Sequence, residues 1–195
     1  MKKELKVCTD CGKEKDLTEF YSPKRSHCKD CERRSARIRM KRYNATVRGR
    51  AMQAINDSRK AVRKIEKETG RKIKNDLDLL DVVIVLGYSE CSYCGKDVPE
   101  DERTLDHITP MRQGGDNIFS NVTMACRSCN SSKGDYPALS YLQKKQDKYG
   151  IQQLVDRKAR RDRISYDDAY MILFKDAVNY FEAKKNKNDE GRNGG

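Results

Sequence analysis

The chain is 195 residues long, enough for one ordinary domain or two small ones but not for several independent cores. Only 36% of it is hydrophobic and 7% aromatic, with no tryptophan, against 37% charged, so apolar burial alone is too little to hold the fold. The formal charge of +12 excludes an acidic solvating protein, and the longest apolar run, 82–86, is far too short to span a bilayer, so no membrane partner is expected.

The first elements are the cysteines. Met1-Lys2-Lys3-Glu4-Leu5 runs straight into charged sequence, giving the expectation of a protein without a secretory leader, intracellular, in the cytoplasm of a prokaryote or of a phage-infected host. In a reducing compartment, cysteines in CxxC spacing are metal ligands rather than disulfides. Cys8, Cys11, Cys28 and Cys31 form one set, with sixteen residues between the pairs, and Cys91, Cys94, Cys126 and Cys129 a second, with thirty-one. Each set supplies four thiolates to one tetrahedral Zn²⁺, so two structural zinc ions are expected and all eight cysteines are used. Residues 1–32 read as a four-cysteine zinc module.

Residues 33–76 follow as one or two basic helices. Residues 1–75 hold 24 Lys and Arg against 10 Asp and Glu, while the remaining 120 hold 18 against 20. So lopsided a charge points to a polyanion, with double-stranded DNA the expected partner and Arg33, Arg34, Arg37, Arg39, Lys41, Arg42, Arg48 and Arg50 its contacts. The apolar residues of the stretch (Ile38, Val47, Met52, Ile55, Val62, Ile65) are too sparse for a wide core-facing stripe, so an arm or linker is expected rather than a buried helix.

Asn75 or Asp76 can cap a helix over "LDLLDVVIVL", which Gly87 ends; the run Val82-Val83-Ile84-Val85 also suits a strand. The insert between Cys94 and Cys126 then reads as strand, wide loop, strand, with a helix opened by the last CxxC. Beyond residue 136 the pattern is helical again. Pro137 suits a first helical position and Gly150 a helix end, with Leu139, Leu142 and Tyr149 on the apolar side. Ser165 caps a last helix whose Tyr166, Tyr170, Leu173, Phe174, Ala177 and Phe181 are expected in the core. The tail, residues 187–195, reads as disordered.

Within the insert, Asp106-His107 is the constellation with chemistry. A histidine serves as a base near neutral pH, and carboxylate and carbonyl oxygens suit a hard cation such as Mg²⁺. Neighbouring strand residues point to opposite faces, so both can act together only at a strand end or bulge. The zinc clamp brings the amide of Asn130 back towards this pair.

The stretches "CSYCG", "LDHITP", "GGDN" and "NVTMACRSCNSSKG" resemble the zinc-bound HNH endonucleases over about Cys91 to Asp135. That resemblance implies an α+β fold, a small zinc-stabilised ββα-metal unit (residues 77–136) with helical flanks (33–76 and 137–186) behind the N-terminal zinc module. It implies a DNA endonuclease in which His107 activates water, Asp106 and Asn130 ligate one catalytic Mg²⁺ or Mn²⁺, Asn121 orients the loop and the histidine, and Arg127 and Lys133 contact phosphate. Asn130 stands where many members have histidine. The N-terminal module looks like that of some phage and mobile-element HNH proteins, including homing-type endonucleases. Three rival readings stay open: a non-catalytic zinc-finger DNA-binding protein serving as regulator or packaging accessory, a nuclease specific for branched DNA, and one directed at RNA.

Overall fold

In each four-cysteine set the first CxxC pair sits on a tight turn and the second opens a helix. The computed structural model describes residues 4–193, with side chains through residue 186, and the chain divides into two units, Met1–Gly49 and Arg50–Gly195.

In the first unit, Gly12 adopts φ +67° and returns its N–H to the Cys8 carbonyl at 2.8 Å, a left-handed turn that glycine makes without steric cost. The turn joins β1 (Leu5–Val7) to β2 (Glu14–Asp16), antiparallel with Leu5 opposite Asp16. Cys28 is the N-cap of α1 (Lys29–Ala45), in which Cys31 is the buried residue. The core of this unit is Cys8, Phe20, Cys28 and Cys31, with Cys11 against them. So little apolar burial cannot hold forty residues by itself, and the sulfur cluster carries the unit. The rest of α1 faces outward, Ile38, Met40 and Tyr43 included.

The second unit is built from α2 (Val47–Thr69, from Arg50 onward), α3 (Leu79–Gly87), β3 (Arg103–His107), β4 (Val122–Cys126), α4 (Arg127–Lys133), α5 (Ala138–Lys144), α6 (Lys148–Asp162) and α7 (Tyr166–Asn193). β3 and β4 pair antiparallel, Arg103 opposite Cys126 and His107 opposite Val122. Strand, loop, strand and helix thus follow in the expected order, and the fold is α+β, with two small sheets among helices. Ile55, Leu77, Val82, Val85, Leu86, Val122, Met124, Leu139, Leu142, Leu154 and Leu173 form its buried core. No helix among the described residues is long and apolar enough to cross a membrane.

Several expectations are corrected. The stretch 33–76 is not one exposed arm. Ala51, Ile55, Ser58, Val62 and Ile65 of α2 are all buried, because steps of three and four residues align them in one narrow seam that average polarity conceals. The cap of α3 is Asp78, in a reciprocal box with Asp81, and Asn75 bonds elsewhere. Gly150 does not end a helix: α5 stops at Lys144, and Gly150 lies inside α6 where a Cβ would meet the Tyr93 carbonyl at 2.8 Å. Tyr149 is exposed. On α7, which Ser165 caps as expected, Ala169, Leu173 and Ala177 make the buried stripe, while Tyr166, Phe174 and Phe181 stand one row over in solvent. The helix continues through residue 193 where the composition predicts disorder, since each added residue gains a backbone hydrogen bond once a helix is nucleated; residues 194 and 195 lie outside the described residues.

Because Ile55 is 2% exposed, Ile55→Ala is expected to destabilise the second unit by about 2–5 kcal/mol, against about 0.5 kcal/mol or less for a residue on a solvated arm. Denaturant titration of the full chain distinguishes the two.

Candidate active site

The thiol sulfurs of Cys8, Cys11, Cys28 and Cys31 lie within 4.8 Å of one another, and so do those of Cys91, Cys94, Cys126 and Cys129. Four sulfurs at zinc-bonding distance sit about 3.8 Å apart, so both clusters suit Zn²⁺ in geometry and in donor chemistry. Backbone N–H groups point at the sulfurs: Cys28 N to Cys8 Sγ at 3.2 Å, and Tyr93 N and Cys126 N to Cys91 Sγ at 3.4 Å each. The N–H groups of Cys11 and Cys28 pull the Cys8 thiol down to about 6. Burial works to raise the Cys91 thiol, but the N–H groups of Cys126, Tyr93 and Cys94 outweigh it and bring it below the ordinary value. One thiol in each cluster is thereby favoured as thiolate, the form that binds metal.

β3 separates Asp106 from His107. Asp106 faces α4, buried: Lys133 Nζ reaches its Oδ1 at 3.2 Å and its Oδ2 at 3.1 Å, and the Tyr93 hydroxyl donates to Oδ2. Lys133 is itself 1% exposed, so the phosphate contact expected of it is replaced by an internal ion pair. Burial, then the charge of Asp106, pushes the Tyr93 hydroxyl well above its ordinary pKa and keeps it a donor. Asn130, one helical turn after Cys126, donates through Nδ2 to Thr104 Oγ1 at 3.0 Å and to the Leu105 carbonyl at 3.4 Å. Its amide oxygen has no hydrogen-bond partner among the described residues. An amide oxygen and a carboxylate are the hard donors that Mg²⁺ or Mn²⁺ prefers, so the residues fit such an ion in chemistry, with Lys133 as its competitor for Asp106.

His107, the last residue of β3, faces the other way. Its Nε2 lies 2.9 Å from Asn117 Oδ1, and the Asn117 amide nitrogen donates to Asn75 Oδ1 at 2.6 Å and Ser58 Oγ at 3.3 Å. With both amide hydrogens committed, Asn117 presents only an acceptor, so Nε2 carries the ring proton and Nδ1 the free lone pair. Burial lowers the His107 pKa below its ordinary value, against the opposing pull of Asn117, and favours the neutral base. The ring borders a cleft of about 460 Å³ whose lining includes Arg50, Arg103 and Arg127.

Asn121 ties the loop together, accepting from Thr109 N at 2.9 Å and donating to Thr109 O and Asp116 O at 2.9 and 2.8 Å. It does not touch the histidine; Asn117 does. Asn117 belongs to the quoted "GGDN", but nothing in its spacing shows that Asn75, forty-two residues earlier, pairs with it in an isolated bridge. Arg71 completes the loop by donating to the carbonyls of Met111 and Gly115 at 2.8 Å each. Gly115 admits no side chain, since a Cβ would lie 1.9 Å from Thr109 O.

The remaining cations sort by partner. Arg34 bonds Asp10 at 2.9 Å beside the first cluster, Arg50 pairs with Glu100, and Arg127 donates to the Asp101 carbonyl at 3.0 Å. Arg33, Arg37, Arg39, Lys41, Arg42 and Arg48 are exposed.

His107 is expected to show the Nε2-protonated neutral tautomer by nitrogen-15 NMR at neutral pH, and Asn117→Ala to give a mixture of tautomers.

Residues 91–140 match the HNH endonuclease family. The chain is 39% identical over 49 residues to the CRISPR-associated endonuclease Cas9 of Corynebacterium diphtheriae, a match that covers 25% of this chain and 4% of that protein. The crystal structure of the Type II-C Cas9 enzyme from Actinomyces naeslundii aligns over 77% of this chain and 16% of its own, at 25% identity and a TM-score of 0.34. The chain thus spans only a small part of the length of either relative.

Proposed function

We propose, from the premise that residues 91–140 are an HNH endonuclease domain, that the protein hydrolyses phosphodiester bonds in double-stranded DNA with His107 as general base. The observation that carries the reading is the Asn117 to His107 contact: it holds a neutral imidazole with Nδ1 free beside a cleft bordered by three arginines. His107 Nδ1 takes the proton from the attacking water, Asn117 keeps the ring in that tautomer, and the arginines draw the phosphodiester to it. Asp106 and Asn130 would hold one Mg²⁺ or Mn²⁺ ion if Lys133 released the carboxylate, and such an ion would supply neutralisation of phosphate charge; His107, as the last residue of β3, is at the strand end where base and carboxylate can serve one phosphate. The exposed cations Arg33, Arg37, Arg39, Lys41, Arg42 and Arg48 hold the duplex by its phosphates. The two cysteine clusters suit a reducing, intracellular setting. The N-terminal zinc module and its basic helix support a homing-type role as the narrower reading.

The buried Lys133 to Asp106 pair favours a second reading, a unit that binds DNA without cutting, because it occupies the carboxylate a catalytic ion would use. Nicking of supercoiled plasmid separates the two. The wild-type protein is expected to nick with added Mg²⁺ or Mn²⁺, and His107→Ala to abolish nicking while keeping two zinc ions per chain; cleavage by that variant would sink the assignment.

The pH dependence follows from the sign of the His107 shift. Its conjugate acid is disfavoured, so the base persists as pH falls through the ordinary histidine value of 6.5, and the acidic limb of kcat/KM is expected below that value. Asn117→Asp keeps an acceptor at Nε2 but adds a charge, which moves the limb to higher pH; an unmoved limb would mean that Asn117 does not act through His107.

A further inference from the structure

The slight negative balance of residues 76–195 conceals a local reversal: "DRKARRDR", residues 156–163, holds five cations and two acids. These residues close α6, and four of the cations, with the acids Asp156 and Glu90, border a cleft of about 640 Å³ in the second unit. Arg157, Arg160, Arg161 and Arg163 lie along one wall, and Tyr88 and Phe119 are also in the lining. The cleft contains none of the eight cysteines, nor Asp106, His107 or Asn130, so it is separate from the candidate active site.

Two of the arginines are already committed. Arg157 holds Glu90 and Ser92 at 3.0 Å each, and Arg161 donates to the carbonyls of Ser120 and Val122 with its guanidinium 5.5 Å from the centre of the Phe119 ring. They brace the wall and prepare a flat cation-on-aromatic surface. Arg160 and Arg163 are exposed and have no partner among the described residues, and Tyr88 is 56% exposed. Free guanidinium groups in one cleft with aromatic rings suit a ligand that is anionic at one end and planar at the other. A bare phosphate leaves the rings unused, and a duplex hides its base faces in the stack.

We propose that this cleft binds an unpaired nucleotide of a nucleic-acid strand, the base lying against Tyr88 and the Arg161 and Phe119 surface, the phosphate on Arg160 and Arg163. The partner class rests on the nuclease reading above, but the site does not rest on catalysis. It would hold strand that is single, frayed or displaced beside the duplex under attack, where base faces are available and sequence is not read.

The test is fluorescence anisotropy with the full-length His107→Ala protein without added divalent ion, using labelled oligothymidine, oligouridine and a blunt duplex. Arg160→Gln with Arg163→Gly removes the two guanidinium groups; Arg163 sits at φ +56°, which glycine adopts freely, so the backbone is not strained. That double variant is expected to weaken oligothymidine binding about tenfold or more and to flatten its salt dependence by roughly 1.4 in log–log slope, as for two phosphate contacts on a single strand. Tyr88→Ala is expected to weaken it about fivefold or more. Duplex affinity should change less than about twofold in both. Whichever of oligothymidine and oligouridine binds more tightly identifies the strand as DNA or RNA. Equal losses on duplex and single strand, or polyglutamate binding as tightly as oligothymidine, would reduce the cleft to a diffuse charge and overturn the proposal. Because binding is read in a protein that cannot cut, absence of nicking by the parent leaves this result standing, and active nicking with unchanged strand binding sinks this proposal alone.

Discussion

The convergence of Cys91, Cys94, Cys126 and Cys129 on one point is the constraint from which the second unit follows. Two five-residue strands are marginal in water, and the loop between the CxxC pairs costs entropy to close. A metal held by four thiolates would offset both at once. The convergence also sets the phase of α4. Cys126 ends β4 and accepts from Cys129 N at 3.4 Å as the helix cap, so Asn130 lies one turn from Cys126 and Lys133 one turn from Cys129. The face of α4 that is aligned with Cys126 and Cys129 therefore also carries the groups that meet β3.

What meets them is a buried charge. Asp106, Lys133 and Tyr93 form a closed polar cluster, and Tyr93 lies between Cys91 and Cys94, so cysteine loop, strand and helix share one set of contacts. A buried ion pair of this kind adds little net stability, yet loss of one partner costs about 3–5 kcal/mol, since the other charge is left desolvated. Its role is to hold strand and helix in register. One residue further along β3, the alternation of the strand sends His107 to the opposite side, into the Asn117, Asn75 and Ser58 network that reaches α2. Asp106 and His107 are thus supported independently, Asp106 by Lys133 and Tyr93 beside the cysteine cluster and His107 by the helix packed behind the loop.

The distribution of cations follows the same economy of partners. Several residues that count towards a basic surface are committed to partners: Lys133 to buried Asp106, Arg71 to the loop carbonyls, Arg161 to the carbonyls at the start of β4 and, at the surface, Arg34 to Asp10. The cations available to a polyanion are those left over, along the outward faces of α1 and α2 and at the end of α6. Net charge by region counts both kinds alike.

The two four-cysteine sets, the strand–loop–strand–helix order of the insert and the α+β class were legible in the sequence, because all of these depend on spacing along the chain and on the chemistry of single residues. The sequence by itself misread α2 as an arm, since a narrow seam at three- and four-residue steps looks sparse when averaged, and it misplaced the α3 cap and the aromatic row of α7, since which stripe of a helix is buried depends on what packs against it. Only the tertiary structure decided that Asn117 rather than Asn121 touches His107, that Lys133 is buried against Asp106, and that Tyr88, Phe119 and the arginines of α6 share a cleft. Each of these contacts joins residues brought together by packing from separate elements, and hydrogen bonds across such distances leave no period or motif in the chain to be read.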